Sequence, residues 1–131
     1  MQAFYADQFV LPLPEGHRFP MAKYRMLRDA LAQQLPSIRL QEAPAATRDA
    51  LALVHTPAYI DAILQGTAAP AVLREIGFPW SPAMAERACR SVGATVAAAH
   101  VALKEGLAAN LAGGTHHAYA DKGSGFCVFL S

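Results

Sequence analysis

The sequence predicts an α/β domain, an open parallel sheet flanked by helices in a partial three-layer arrangement. Two observations carry this. Short apolar runs alternate with stretches of helical period along the whole chain, the pattern of strand–helix–strand units. The last two apolar runs are continuous rather than alternating, as parallel strands buried on both faces are. At 131 residues the chain suits one domain, residues 1–131.

The elements follow in order. Ala3-Phe4-Tyr5 reads as a short strand. Leu11-Pro12-Leu13-Pro14-Glu15-Gly16 is a loop, because prolines and glycine interrupt regular structure. From Pro20 the pattern is helical: Met21, Tyr24, Leu27 (or Arg28), Leu31 and Leu35 recur at three- and four-residue steps and make one apolar face. Pro36 ends that helix. Ile38-Arg39-Leu40 reads as a second strand. Thr47 caps a helix that runs through Val54. Thr56-Pro57 opens the next, with threonine as cap and proline in the first helical position, and Gly66 closes it. A short helix over 71–76 ends at Gly77. Ser81-Pro82 repeats the cap-and-proline start of the longest helix, which reaches Lys104 and closes at Gly106. It is apolar around most of its circumference, which predicts burial on several sides. Ala109-Asn110-Leu111-Ala112 reads as a strand, and Phe126-Cys127-Val128-Phe129 as another or as an extended tail.

Composition narrows the class of function. Apolar residues are 53% and charged residues 16% of the chain, against about 25% charged in ordinary domains. Such a surface expects to be covered by more protein. The net charge is +1, from 11 basic and 10 acidic residues. They are scattered, so no basic stripe exists to neutralise phosphates, which argues against nucleic-acid binding. Cys89 and Cys127 are too few for a disulfide framework and read as reduced thiols. No secretory signal is expected at the start, because Asp7 interrupts the first apolar stretch and no basic residue precedes it. The longest stretch free of Asp, Glu, Lys and Arg is Gly106–Ala120, short of the roughly 20 apolar residues of a membrane span. The expected address is the cytoplasm.

One segment carries chemistry. Gly113-Gly114 lets the backbone turn sharply and approach a ligand. Thr115 then leads into adjacent histidines, His116 and His117. Histidine is the side chain best suited to move protons near neutral pH. The pair lies just past the carboxyl end of the 109–112 strand, where ligands gather in open α/β sheets. A second glycine-rich stretch, Lys122-Gly123-Ser124-Gly125, leads directly into Phe126. Together these suggest a polar pocket with a flexible rim and an aromatic wall. On spacing alone, the pair could equally be structural or a weak metal site. His17, His55 and His100 show no ligand spacing to it. His55 reads as packing near a helix start, His17 as a surface loop residue, His100 as helix edge, and Phe78 and Trp80 as loop anchors.

Leu111-Ala112-Gly113-Gly114-Thr115-His116-His117-Ala118, followed by Gly123-Ser124-Gly125-Phe126-Cys127-Val128-Phe129, resembles the tandem-histidine motif of the histone deacetylase and acetylpolyamine amidohydrolase superfamily. The eight residues between His117 and Phe126 match its spacing. His17-Arg18-Phe19-Pro20-Met21-Ala22-Lys23-Tyr24 resembles the start of its bacterial and class IV-like members, and Val54-His55-Thr56-Pro57-Ala58-Tyr59-Ile60 the next block. Gly77-Phe78-Pro79-Trp80-Ser81 and the alanine-rich helix also sit where the family has them. The likeness runs from about residue 3 to residue 129.

The resemblance implies the arginase/deacetylase fold and zinc-dependent hydrolysis of acyl-amide bonds. It assigns His116 to the zinc-bound water and the developing oxyanion, and His117 to general base and acid. Phe126 becomes one wall of the acyl channel, with the Gly125 backbone beside it. Cys127 packs more deeply. The family's zinc ligands, an Asp-x-His and a later Asp, have no counterpart in residues 1–131. Neither do the carboxylates that orient the histidines, nor its carbonyl-polarising tyrosine.

The expectation is therefore a truncated form of the fold, with no cofactor of its own and no hydrolysis alone. Water without zinc keeps its bulk pKa, and an unaided histidine pair offers about 10²–10⁴-fold help. An incomplete sheet exposes an edge and apolar faces, so self-association, most simply as a two-fold dimer, is also expected. A non-enzymatic oligomerisation or binding module on the same fold is one alternative. A metal hydrolase whose site is assembled between chains is another.

Overall fold

The computed structural model describes residues 1–131. Strand β1 (Gln2–Tyr5) is the centre of a parallel sheet, flanked by β2 (Arg39–Glu42) and β3 (Ala108–Asn110) in the order β2-β1-β3. Between β1 and β2 lies helix α1 (Lys23–Gln34). Between β2 and β3 lie α2 (Arg48–Leu51), α3 (Pro57–Gln65), α4 (Pro70–Ile76) and α5 (Pro82–Glu105). This is the expected α/β architecture, a small parallel sheet flanked by helices.

Local chemistry sets the helix ends. The hydroxyls of Thr47, Thr56 and Ser81 accept hydrogen bonds from the backbone N–H groups of Ala50, Tyr59 and Met84. Each thereby satisfies an amide that the first helical turn leaves without a partner. Gly66, Gly77 and Gly106 close α3, α4 and α5 in the left-handed conformation.

Two apolar clusters hold the chain together. In the smaller, α5 packs on the sheet through Ala94 and Ala98 against Phe4, Ala6, Ala43 and Ala112. Small side chains let helix and sheet approach closely. Gly93 lies closest to a neighbouring backbone: a Cβ there would stand 1.8 Å from the Pro44 carbonyl oxygen. The larger cluster draws no residue from the sheet; within it Ile60, Ile63, Ile76, Met84 and Phe129 are fully buried.

Three expectations change. The 126–129 run is neither strand nor extended tail but turn and bend, with one isolated bridge from its Cys127 to Ser124. The apolar stripe of α1 exists, but no residue of that helix is buried, and Met26, Leu27 and Leu35 are exposed. Helix α5 is buried on several sides only as far as Ala98, and Leu103 stands in solvent. No helix is long and apolar enough to cross a membrane.

Candidate functional site

The site begins where β3 ends. The Asn110 side chain accepts from the Ala112 N–H at 2.7 Å and donates to Thr95 Oγ1 at 2.8 Å and the Ser91 carbonyl at 3.2 Å. It thus ties the turn to α5. Gly113 follows with φ +91°, a conformation that L side chains resist, and the Tyr24 hydroxyl lies 3.3 Å from where its Cβ would stand. Ser91 Oγ donates to the Gly113 carbonyl at 3.3 Å. The turn delivers His116 and His117 with ring centroids 4.1 Å apart and planes at 42°. Both side chains are exposed. No carboxylate is hydrogen-bonded to either ring.

The opposite wall is Phe126. Gly125 and Phe126 take positive φ in succession, +53° and +66°. For a phenylalanine this costs on the order of 1–3 kcal/mol. Tertiary bonds supply the compensation. The Gly125 and Phe126 amides donate to the carbonyls of Glu75 and Ile76, at 3.3 and 2.7 Å, at the end of α4. The Phe126 ring lies 5.3 Å from Phe19, 5.2 Å from Phe78 and 5.8 Å from His17. Ser124 Oγ donates to the His117 carbonyl at 2.5 Å. Gly125 abuts the His117 ring, which stands 3.3 Å from the position of a Cβ. Between the walls is a cavity of about 640 Å³. His116, His117, Gly125 and Phe126, the four residues expected to form a site, all line it. Cys127, buried, lines it as well.

Two histidines outside the pair, His55 and His17, have structural tasks. His55 is buried between Tyr59 and Phe129. The Leu130 N–H donates to its Nε2 at 2.9 Å, which leaves the proton on Nδ1 to donate to the Ala120 carbonyl at 3.2 Å. One imidazole therefore joins both ends of the loop that carries the site. Tyr59 adds a third tie: its hydroxyl donates to the Val128 carbonyl at 2.7 Å, and burial pushes the phenol well above its ordinary pKa. His17, read from sequence as a surface loop residue, is half-buried. It accepts from the Phe19 N–H at 3.1 Å and donates to the Gly77 carbonyl at 2.9 Å. Phe78, expected as a loop anchor, is buried and lines the cavity, while Trp80 does anchor its loop, donating to the Ile63 carbonyl at 2.7 Å. His100, Tyr119 and Asp121 are exposed and lie outside the cavity lining.

Sequence reasoning missed Arg87. It lies on α5 with 6% of its surface exposed and lines the cavity. The only signal was a cation within an alanine-rich stripe. Burial lowers its pKa, with Tyr24 and Asp7 opposing the shift. The residues present do not fit a metal: no three His, Cys, Asp or Glu side chains form a group that could hold one.

Comparison with known proteins gives this geometry a family. The model of the histone deacetylase domain matches residues 17–130. The chain belongs to the histone deacetylase family. An uncharacterized protein of Picosynechococcus is 44% identical over 126 residues, which is 95% of this chain and 42% of that protein. Histone deacetylase 2 of Arabidopsis thaliana is 48% identical over 40 residues, 30% of this chain and 10% of the plant protein. Among solved structures, a histone deacetylase homologue from Aquifex aeolicus superposes with a TM-score of 0.76 at 27% identity, covering 98% of this chain and 38% of that one. A homologue complexed with SAHA gives a TM-score of 0.77 at 27% identity, over 99% and 38%. The chain thus spans about two fifths of the length of the Picosynechococcus protein and of the two solved structures.

Proposed function

We propose that this chain carries the acid–base pair and one channel wall of a zinc-dependent acyl-amide hydrolase site, and that residues 1–131 alone turn over no amide. The supporting observation is the pair of exposed imidazoles at the edge of a cavity whose other wall is Phe126. In this reading His117 takes and returns the proton of the attacking water. His116 donates to the oxygen on which charge develops. Phe126 and the Gly125 backbone keep water from the flank of an extended acyl arm. Zinc, when present, would polarise the carbonyl and activate the water. Its ligands have to come from residues other than these 131.

The test pairs metal analysis of the purified chain with hydrolysis of an acetyl-lysine peptide. The expected result is substoichiometric zinc and no turnover above buffer. One zinc per chain, with turnover lost in His117→Ala, would overturn the claim of inactivity. That outcome would favour a metal site assembled between chains.

A second reading, compatible with the first, is self-association. Helix α1 buries no residue, and Met26, Leu27, Leu103 and Leu107 are exposed. Both β2 and β3 are edge strands, which template pairing with another chain. A dimer is expected in sedimentation; a monomer alone at micromolar concentration would refute it.

A further inference from the structure

The charges around the cavity are one-sided. Its formally charged lining residues are Lys23 and Arg87, and no aspartate or glutamate joins them. Both cations converge on one ring: the Arg87 guanidinium stands 4.2 Å from the Tyr24 centroid and the Lys23 ammonium 5.0 Å. The Tyr24 hydroxyl in turn touches the Gly113 turn that carries the histidines. The acid that acts on this group, Asp7, is buried, pairs with Arg28 of α1 at 3.2 Å and attracts Arg87 as well, and it lies outside the lining. Asp7 thus serves both Arg28 and Arg87, and Lys23 has no acid partner.

Arg87 is the buried one of the two lining cations. A guanidinium carries five N–H donors, yet around it stand only the Ala6 carbonyl at 3.5 Å, the ring and hydroxyl of Tyr24, and the attraction of Asp7, which Arg28 shares. A desolvated cation with so few acceptors, beside a second cation, is costly until an anion joins it. A carboxylate matches the guanidinium fork geometrically.

We propose that Arg87 and Lys23 form a carboxylate subsite, so that this cavity selects acyl groups that end in a carboxylate, such as succinyl or glutaryl amides. The inference rests on the cavity being the acyl channel proposed above. The acyl carbonyl lies toward His116 and His117, and the distal carboxylate bridges Arg87 and Lys23 beside Tyr24. An acetyl group leaves both cations unpaired. The same carboxylate chemistry could come from a free short acid, and the arms of the experiment separate the two sources.

Binding of blocked Nε-succinyl-lysine, blocked Nε-acetyl-lysine, succinate and acetate is measured by NMR titration of the purified chain, following the His116, His117 and Arg87 side-chain resonances. No turnover is needed. Succinyl-lysine is expected to bind about tenfold or more tightly than acetyl-lysine, the gain from one or more charge-assisted hydrogen bonds, and to move the resonances of Arg87 and both histidines. Arg87→Met should bring the ratio close to one, and Arg87→Lys should keep part of it. Lys23 is exposed, so Lys23→Met tests the same site without disturbing the core and should reduce the ratio severalfold. Equal affinities for the two lysine probes, binding of neither, or a ratio that survives both Met variants would overturn the proposal. So would acetate binding as tightly as succinyl-lysine. Acetyl-lysine moving the histidine resonances with no gain from the succinyl group sinks this inference but leaves the channel standing. Succinate moving Arg87 while neither lysine probe reaches the histidines sinks the channel reading itself.

Discussion

His55→Phe is the sharpest probe of what holds the site in place. The substitution keeps a ring of similar size between Tyr59 and Phe129, whose centroids lie 5.6 and 5.2 Å away. It removes both ring nitrogens. The Ala120 carbonyl still accepts from the Thr56 N–H at 2.9 Å, so it is not orphaned. The Leu130 N–H loses its acceptor. An unsatisfied donor costs about 1–3 kcal/mol. Leu130 itself is exposed, so water can recover part of this, and about 1–2 kcal/mol is expected. His55→Ala also empties the space of a buried ring and should cost about 3–5 kcal/mol, the range for large aromatic truncations. Urea denaturation measures both values. Amide hydrogen exchange locates the effect: in His55→Phe the Leu130 amide should lose protection while that of Ile60, in the core of α3, changes only with global stability. Wild-type stability of His55→Phe, with unchanged exchange at Leu130, would show that the imidazole packs but does not tie the loop.

Two further perturbations test the frame. Gly93→Ala sets helix propensity, which favours alanine by about 1 kcal/mol, against a Cβ 1.8 Å from the Pro44 oxygen and 2.9 Å from the Ala46 nitrogen. The Ala46 N–H donates to the Cys89 carbonyl at 2.9 Å, so that segment cannot retreat without breaking a bond. Overpacking should win, with a net loss of about 2–4 kcal/mol in urea melts; a variant as stable as wild type would contradict the packing. Alkaline pH should also destabilise the fold. Burial, with Glu86 adding to it, raises the Cys89 thiol from 9.0 to about 11. Below pH 9 the thiol is neutral whether the chain is folded or unfolded. Between pH 9 and 11 only the unfolded chain releases the proton, so stability falls by up to about 3 kcal/mol. Cys89→Ala should fall less over the same interval, and parallel losses in the two proteins would refute the assignment.

What could be read from the sequence is what local chemistry decides. Thr47, Thr56 and Ser81 cap helices because their hydroxyls reach amides three residues ahead. Gly66, Gly77 and Gly106 end helices because they alone enter the left-handed conformation cheaply. The tandem histidines were legible as a site because a glycine turn and a strand end precede them. What was misread depends on distant partners. Phe126–Phe129 has strand-like composition, yet the carbonyls of Glu75 and Ile76 draw Gly125 and Phe126 into positive φ instead. The period of α1 reveals an apolar stripe but not whether anything covers it. His55 reads only as a helix-start residue, because its two partners lie 65 and 75 positions away. Arg87 is hidden for the same reason: only the folded chain brings it to the cavity wall.

These long-range ties divide the site into a rigid back and an open front. His55, Tyr59 and the α4 carbonyls fix the segment from Ala120 to Leu130, and Asn110 and Ser91 fix the turn before the histidines. The imidazoles themselves stand in solvent. A cover that brought metal ligands to them would therefore not have to order the frame, only to desolvate what it already presents. Ordering costs about 1–2 kcal/mol per residue of backbone, so a frame formed beforehand leaves more of the docking energy for the site. Because His116 and His117 are exposed, a cover can reach them directly, with Phe126 and Arg87 already in place in the same cavity lining.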